Sequence, residues 1–392
     1  MTLFHRASRN ATIAVIVLGA AWSATAQQLR NPEQLGPYPV GVVTMQLDDK
    51  ARVDPELNVP RPLRTEIWYP AVDAARNMPK NKYSDFVSGI NSVPGALDTV
   101  NAQLNNYKPG LTVAELEKTY KNVAVRDVQV RDGKWPLVVF SHGSGGTRVG
   151  YVFLTEFLAS HGFIVMAADH IGNSNYTIVN NMVVKSGGPR GQASSTDRPK
   201  DVSFLIDAMT AMNAKTGDRF NGHVDLDRIG GAGMSFGGST TKNVIEQDKR
   251  VKAAVMLAPG GPTGQRANFD TPVMMMIGTE DTTIREAGNA TNRAYYEATK
   301  GPRYMVEIKD GGHYSFTSVD QYNSNYGNGI GTGKRITIPD QPVTYTPIDL
   351  QHKIINAYAL AFLGRYLRNE MGYDAFLNQN HYGDVIIYKT GH

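Results

Sequence analysis

Five short runs, apolar throughout but for Glu307, constrain this chain most: Leu137–Phe140, Phe163–Ala167, Ala253–Leu257, Val273–Ile277 and Tyr304–Ile308. A strand with one face in water alternates apolar and polar residues. A strand covered on both faces, as in a parallel sheet, reads as a continuous apolar run. Between the runs lie stretches of helical character: Val149–Ser160, Asp201–Met212, Ser235–Gln247, Ala287–Thr299 and Leu350–Leu367. In the last of these, Ile354, Ile355, Tyr358, Ala361, Phe362 and Tyr366 mark one helical face. Strand and helix in alternation predict an α/β fold: an open, doubly wound, mostly parallel sheet with helices on both faces. Val40–Leu47 and Leu63–Tyr69 read as strands at a more exposed edge.

Composition narrows the function classes. Hydrophobic residues at 41% and charged residues at 19% describe a globular chain. The net charge of +4 comes with no basic run, which argues against nucleic acid as a partner. The chain has no cysteine, so disulfides, thiolate metal sites and cysteine nucleophiles are excluded. At the N-terminus, Arg6 and Arg9 precede an apolar stretch from Ala11 to Trp22 and the small residues Ala24-Thr25-Ala26. This pattern predicts a secretory signal over 1–26, cleavage before Gln27, a secreted or periplasmic location, and no stable membrane insertion after removal. A main domain is expected over 27–370. Three polar, Gly- and Asn-bearing segments interrupt the alternation, at 79–122, 171–198 and 317–346, and 371–392 reads as a C-terminal appendage. The three segments fall near strand ends where open α/β sheets bind ligands, so they are expected to shape a substrate mouth. A helix is expected over Val113–Tyr120, with Thr112 and Glu115 spaced as a capping box.

Chemistry concentrates at four strand ends. Gly233-Met-Ser-Phe-Gly237 is a G-x-S-x-G, which suits a serine on a sharp strand-to-helix turn whose hydroxyl projects from the sheet. Phe140-Ser-His-Gly-Ser-Gly-Gly-Thr147 follows an apolar run, and its glycines let backbone approach a substrate closely. The N–H groups of Ser144 and Phe236 are the expected oxyanion donors. Thr279-Glu280-Asp281 ends the Val273–Ile277 run, and Asp281, rather than Glu280, is the expected acid that orients an imidazole. Asp310-Gly-Gly-His313 ends the last run, and His313 is the expected base. His142 is expected to buttress the oxyanion loop, His170 to brace the pocket, and His223 to sit solvated in a turn. The order Ser235, Asp281, His313 is that of the α/β-hydrolase triad.

On these residues, together with Glu66-Ile-Trp-Tyr-Pro70, Asp169-His-Ile-Gly172 and Arg198-Pro-Lys-Asp-Val-Ser-Phe204, the chain resembles α/β-hydrolases of the dienelactone-hydrolase-like and platelet-activating-factor-acetylhydrolase-like serine esterase group. The Gly-x-x-Asp and Gly-His turns are also similar to those of bacterial cutinase-like polyester hydrolases. Dienelactone hydrolases proper use a cysteine nucleophile, which this chain lacks. The resemblance implies a carboxylic ester hydrolase that needs no metal or organic cofactor, with a lipid-like, short acyl or polymeric ester as substrate. An amidase or peptidase would use the same triad, and a non-catalytic binding protein could share the fold.

Overall fold

The continuous apolar runs become the centre of one large sheet. The computed structural model describes residues 31–87, 89–260, 270–338 and 340–391. The expected signal segment, 1–26, lies outside the described residues. The strands are β1 Val40–Val53, β2 Pro60–Pro70, β3 Ala124–Arg126, β4 Trp135–Ser141, β5 Ile164–Ala168, β6 Tyr176–Val179, β7 Met182–Lys185, β8 Val224–Met234, β9 Val251–Leu257, β10 Val273–Gly278, β11 Arg303–Ile308, β12 Thr332–Lys334, β13 Pro342–Thr344 and β14 Ile386–Gly391. The α-helices are α1 Tyr83–Phe86, α2 Ala96–Tyr107, α3 Val113–Leu116, α4 Val152–Ser160, α5 Gly188–Ala214, α6 Phe236–Gln247, α7 Arg285–Ala298, α8 Ile348–Arg368 and α9 Tyr373–Leu377.

Among the described residues, ten strands form the main sheet in the order β14-β11-β10-β9-β8-β4-β5-β2-β1-β3. From β5 to β11 every neighbouring pair is parallel. Strand β2 runs antiparallel to both β5 and β1, and β14 antiparallel to β11. Alternate residues of each strand feed two cores. Val138, Phe140, Val255, Leu257, Met274 and Met276 pack with α4 and α8, including Leu154, Ile355 and Phe362. Leu137, Val139, Ala254, Met256, Met275 and Ile277 pack on the other face with α5, α6 and α7, through Leu205, Ile206, Ile245 and Tyr295. Each large side chain so buried contributes about 1.5–3 kcal/mol of transfer free energy.

Several boundaries differ from those expected. The segment 171–198 is not a loop: it forms the hairpin β6–β7 and then the first half of the 27-residue α5. Gly188, Gly191 and Pro199 hide this half, since each lowers helix propensity. Tertiary contact holds it instead, because Arg190 pairs with Asp54, its NH2 group 2.7 Å from Oδ1. Helix α3 stops at Leu116, short of Tyr120, although the Thr112 hydroxyl does accept from the Glu115 N–H at 3.2 Å. The polar stretch Val224–Arg228 before the elbow is the first part of β8, which shifts register between Pro136 and Leu137 of its partner β4. Residues 371–391, expected as a C-terminal appendage, join the fold: α9 packs against α8, and β14 pairs at the sheet edge with all six residues of β11. Strand β3 was not expected; it adds three residues parallel to β1.

The chain passes from β4 to β5 on one side and then to β8 on the other. The crevice beyond the C-terminal ends of β4 and β8 is therefore a topological switch point, the place where such sheets bind ligands.

Candidate active site

Ser235 sits between β8 and α6 at φ 54° and ψ −120°. That conformation is costly for a residue with a side chain and persists only where the surroundings impose it. Here the Ser235 N–H donates to the Leu257 carbonyl at 2.8 Å, and the Ser235 carbonyl accepts from Gly260 at 3.1 Å and Ser239 at 3.2 Å. The serine hydroxyl thus stands clear of the sheet at the mouth of the crevice.

The structure brings Ser235, Asp281 and His313 together. His313 Nε2 lies 3.0 Å from Ser235 Oγ, and His313 Nδ1 lies 2.7 Å from Asp281 Oδ2. Asp281 is fully buried, and its other oxygen accepts from the N–H groups of Thr283 and Ile284, both at 2.8 Å. An acceptor so engaged is fixed in place, and it selects the histidine tautomer with the proton on Nδ1. Glu280 points elsewhere. Its carboxylate accepts from the Ile336 N–H at 2.6 Å and bonds the Thr337 hydroxyl and Arg335, which clamps the β12–β13 region to the acid loop.

Asn328 ties the acid and base loops together, a role the sequence did not signal. Its Oδ1 accepts from the N–H of Thr282 at 2.9 Å and of His313 at 3.0 Å, and its amide donates to Thr283 Oγ1 at 3.0 Å. Gly312 must be glycine, because a Cβ there would meet the Asn328 carbonyl carbon at 2.3 Å.

The loop after β4 is held from behind. Gly143 N–H donates to the Tyr151 hydroxyl at 2.7 Å, Gly145 N–H to the Asn173 carbonyl at 2.9 Å, and Gly146 N–H to the Gly143 carbonyl at 3.0 Å. Ser144 N–H has no acceptor among the described residues, and Phe236 N–H opens α6, where no earlier turn can accept it. His142 is buried, with Nδ1 2.6 Å from the Gly143 carbonyl and Nε2 2.8 Å from Ser174 Oγ. His170 links Ser141 Oγ, at 2.9 Å, to Asp201, also at 2.9 Å. His223 is half-buried, 3.2 Å from the Gly133 carbonyl.

Burial holds His142 well below its ordinary value of 6.5 and lowers His170 to about 4, with the Arg198 charge adding to both. The unfolded chain takes up these protons near pH 6.5, so stability falls as the pH drops below that value, until His170 itself protonates near 4. Glu156 acts oppositely. Burial pushes its carboxyl up to about 7, so the stability it contributes is present below 4.5 and lost as the pH rises through about 7. Thermal unfolding followed from pH 7 to 4 should show a smaller acid destabilisation in His170→Gln than in the wild type. Equal slopes would rule out a neutral buried His170.

A cleft of about 210 Å³ opens over the serine, lined by Ser144, Tyr151, Met234, Ser235 and His313, with Tyr107, Tyr314 and Tyr322 as its far wall. Tyr107 comes from the 79–122 segment and Tyr322 from 317–346, and their rings meet at 5.1 Å. Segment 171–198 does not line the cleft; Asn173 reaches only the back of the loop. A larger cavity, about 440 Å³, lies among α1, α2 and α3, with Glu117 the one ionisable side chain lining it among the described residues. Its Ser84 hydroxyl donates to Glu117 Oε1 at 3.2 Å, and it shares no lining residue with the cleft over Ser235. Among the described residues no cluster of three His, Asp or Glu side chains could hold a metal, and no helix is long and apolar enough to cross a membrane.

The fold is that of an α/β-hydrolase, and comparison with known proteins agrees. The family model described as PET hydrolase-like matches residues 133–388, and that of platelet-activating factor acetylhydrolase, isoform II, matches residues 23–186. The chain belongs to the PET hydrolase-like family. A platelet-activating factor acetylhydrolase of Cavia porcellus is 25% identical over 272 residues, which are 62% of this chain and 59% of that protein. Cutinase 2 of Thermobifida cellulosilytica is 23% identical over 259 residues, covering 64% of this chain and 78% of the cutinase. The solved structure of a ferulic acid esterase from Streptomyces cinnamoneus shares the fold with a TM-score of 0.68 at 22% identity, over 90% of this chain and 96% of that one.

Proposed function

We propose that the protein is a serine hydrolase that cleaves carboxylic esters through an acyl-enzyme on Ser235. The observation that carries this reading is the continuous hydrogen-bonded line from Ser235 Oγ through His313 to Asp281, with spacings of 3.0 and 2.7 Å. His313 Nε2 takes the serine proton as Oγ attacks the ester carbonyl, and Asp281 stabilises the imidazolium. The Ser144 and Phe236 N–H groups receive the oxyanion, where loss of one donor typically costs about 3–4 kcal/mol. The alcohol departs with a proton from His313. A water molecule, activated by the same imidazole, then releases the acid. The relatives are named acetylhydrolase, cutinase and ferulic acid esterase, all designations of ester cleavage, which supports ester over amide substrates.

Export is part of the proposal, supported by the basic, apolar and small-residue pattern of residues 1–26. One intact-mass experiment tests both parts. Protein secreted by a bacterial host and treated with a serine-directed phosphonate should carry one adduct, mapped to Ser235, on a chain beginning at Gln27. Absence of the adduct would sink the acyl-enzyme reading, and a retained N-terminus would sink export. Nitrophenyl esters should be cleaved far faster than the matching anilides.

A further inference from the structure

An oxyanion hole works only if its donors converge on one point. Here the two donors lie on separate elements, Ser144 on the loop after β4 and Phe236 at the start of α6. Arg198, fully buried on α5, touches both sides. On the loop side, its NH2 group donates to Ser141 Oγ at 2.7 Å and to the His142 carbonyl, which belongs to the peptide leading into Gly143. Its Nη1 donates to Asn173 Oδ1 at 2.7 Å. Asn173 in turn accepts from Gly145 N–H through its carbonyl at 2.9 Å, and its amide nitrogen lies 3.4 Å from Ser144 Oγ. On the helix side, the guanidinium lies over the Phe236 ring, 4.7 Å from its centroid.

The cost of this arrangement points beyond packing. Among the described residues no carboxylate forms an ion pair with Arg198, and its Nε has no hydrogen-bond partner. A buried cation without a paired anion is expensive. Asp201, one turn further along α5, is instead engaged by Arg61 at 2.7 Å and by His170. His170 connects back to Ser141 Oγ. With Arg198 donating to Ser141 Oγ, the serine hydroxyl can donate to His170 Nε2, and His170 Nδ1–H to Asp201. The bonds among Arg198, Ser141, His170 and Asp201 are thereby compatible in a single proton arrangement. Burial lowers the guanidinium to about 9, so it remains charged at neutral pH.

We infer that Arg198 is a positioning residue that sets the separation and direction of the Ser144 and Phe236 N–H groups. This rests on the reading of those groups as oxyanion donors. A planar fork that bonds in its plane and stacks through its face performs both tasks. A lysine ammonium can make the bonds but offers no plane to the Phe236 ring.

The test compares Arg198→Lys and Arg198→Met with the wild type on a nitrophenyl ester, alongside binding of a trifluoromethyl ketone that adds to Ser235 as a tetrahedral mimic. The expected result is KM within about twofold, kcat lowered on the order of 10- to 100-fold, and trifluoromethyl ketone affinity lowered by the same factor as kcat/KM. Thermal midpoints measured on the same samples separate this from loss of folded protein. If the Arg198 variants do not fold, Asn173→Ala and Phe236→Leu carry the same comparison, since each removes one of the guanidinium's contacts and leaves both N–H groups in place. Unchanged kcat and unchanged ketone affinity in folded variants would overturn the inference while the hydrolase reading stood. Failure of the ketone or a phosphonate to label wild-type Ser235 would overturn the hydrolase reading itself.

Discussion

Replacing His313 with Ala should lower kcat for ester cleavage by about 10⁴- to 10⁶-fold with little change in KM. The size of the effect follows from the geometry. Ser235 Oγ has one imidazole at 3.0 Å to take its proton, and that imidazole is held in a single tautomer by Asp281 at 2.7 Å. Without the ring, an un-ionised hydroxyl must attack alone, because no other described titratable group lies within hydrogen-bonding distance of it. His142 and His170 cannot substitute, being buried behind the β4 loop and engaged with Ser174, Ser141 and Asp201. The Tyr107, Tyr314 and Tyr322 side chains that line the cleft remain in the variant, with Tyr314 losing an edge contact to the His313 ring at 5.9 Å between centroids. The variant is thus expected to bind a nitrophenyl ester normally and to turn it over near the rate supported by oriented N–H groups alone. A steady-state assay decides the matter, and a rate within tenfold of wild type would mean that His313 is not the base. Asp281→Asn should cost less, about 10⁴-fold, because it leaves the ring but disturbs its tautomer.

What the sequence made legible, and what it hid, divide along a physical line. Val273–Ile277 and its four counterparts announced themselves because a strand buried on both faces reads as a near-continuous apolar run, broken here only by Glu307, which Arg293 pairs. Asp281 and His313 were legible because each follows such a run at a turn, and Ser235 because it sits in a G-x-S-x-G of small residues; turns leave local marks. The first half of α5 left none. Its glycines and Pro199 argue locally against helix, and the contacts that hold it, from Arg190 to Asp54 and from Arg198 to Ser141, join residues far apart in the chain. Strand β14 was hidden for a related reason: at a sheet edge it keeps polar residues such as Lys389 and Thr390, and its pairing partner lies across α8. Asn328 and Tyr151 look like an ordinary loop asparagine and an ordinary core tyrosine. Asn328 bonds backbone N–H groups 15 and 46 residues away, and Tyr151 bonds one eight residues back across the β4–α4 connection, which no local pattern records.

Gly237→Ala should be the most damaging glycine-to-alanine substitution among the described residues. A Cβ at 237 would lie 1.8 Å from the Ser141 carbonyl oxygen, 2.5 Å from its carbon and 2.7 Å from the His142 oxygen. All three are backbone atoms at the end of β4, so no rotamer change relieves the clash, and α6 must back away from the sheet. Overpacking of side chains commonly costs about 1–3 kcal/mol, and a clash with backbone falls at or above the top of that range. The retreat also separates the two oxyanion donors, since Ser144 follows β4 and Phe236 opens α6. Displacements near 1 Å at a reacting centre can cost about 10²-fold in rate. The variant is therefore expected to lose at least about 3 kcal/mol of stability and, in whatever folds, at least about 100-fold in kcat. Gly150→Ala is the matched control: a Cβ there meets nothing closer than the Thr147 oxygen at 3.5 Å, an ordinary contact. Denaturant unfolding and active-site titration of both variants would test this. A Gly237→Ala protein as stable and as active as Gly150→Ala would show that the close approach of α6 to β4 does not govern the site. The same contact explains the motif itself, for a Cβ at Gly233 would stand 2.3 Å from the Gly237 carbonyl oxygen. The small residues flanking Ser235 are thus demanded by backbone packed against backbone on both sides of the nucleophile.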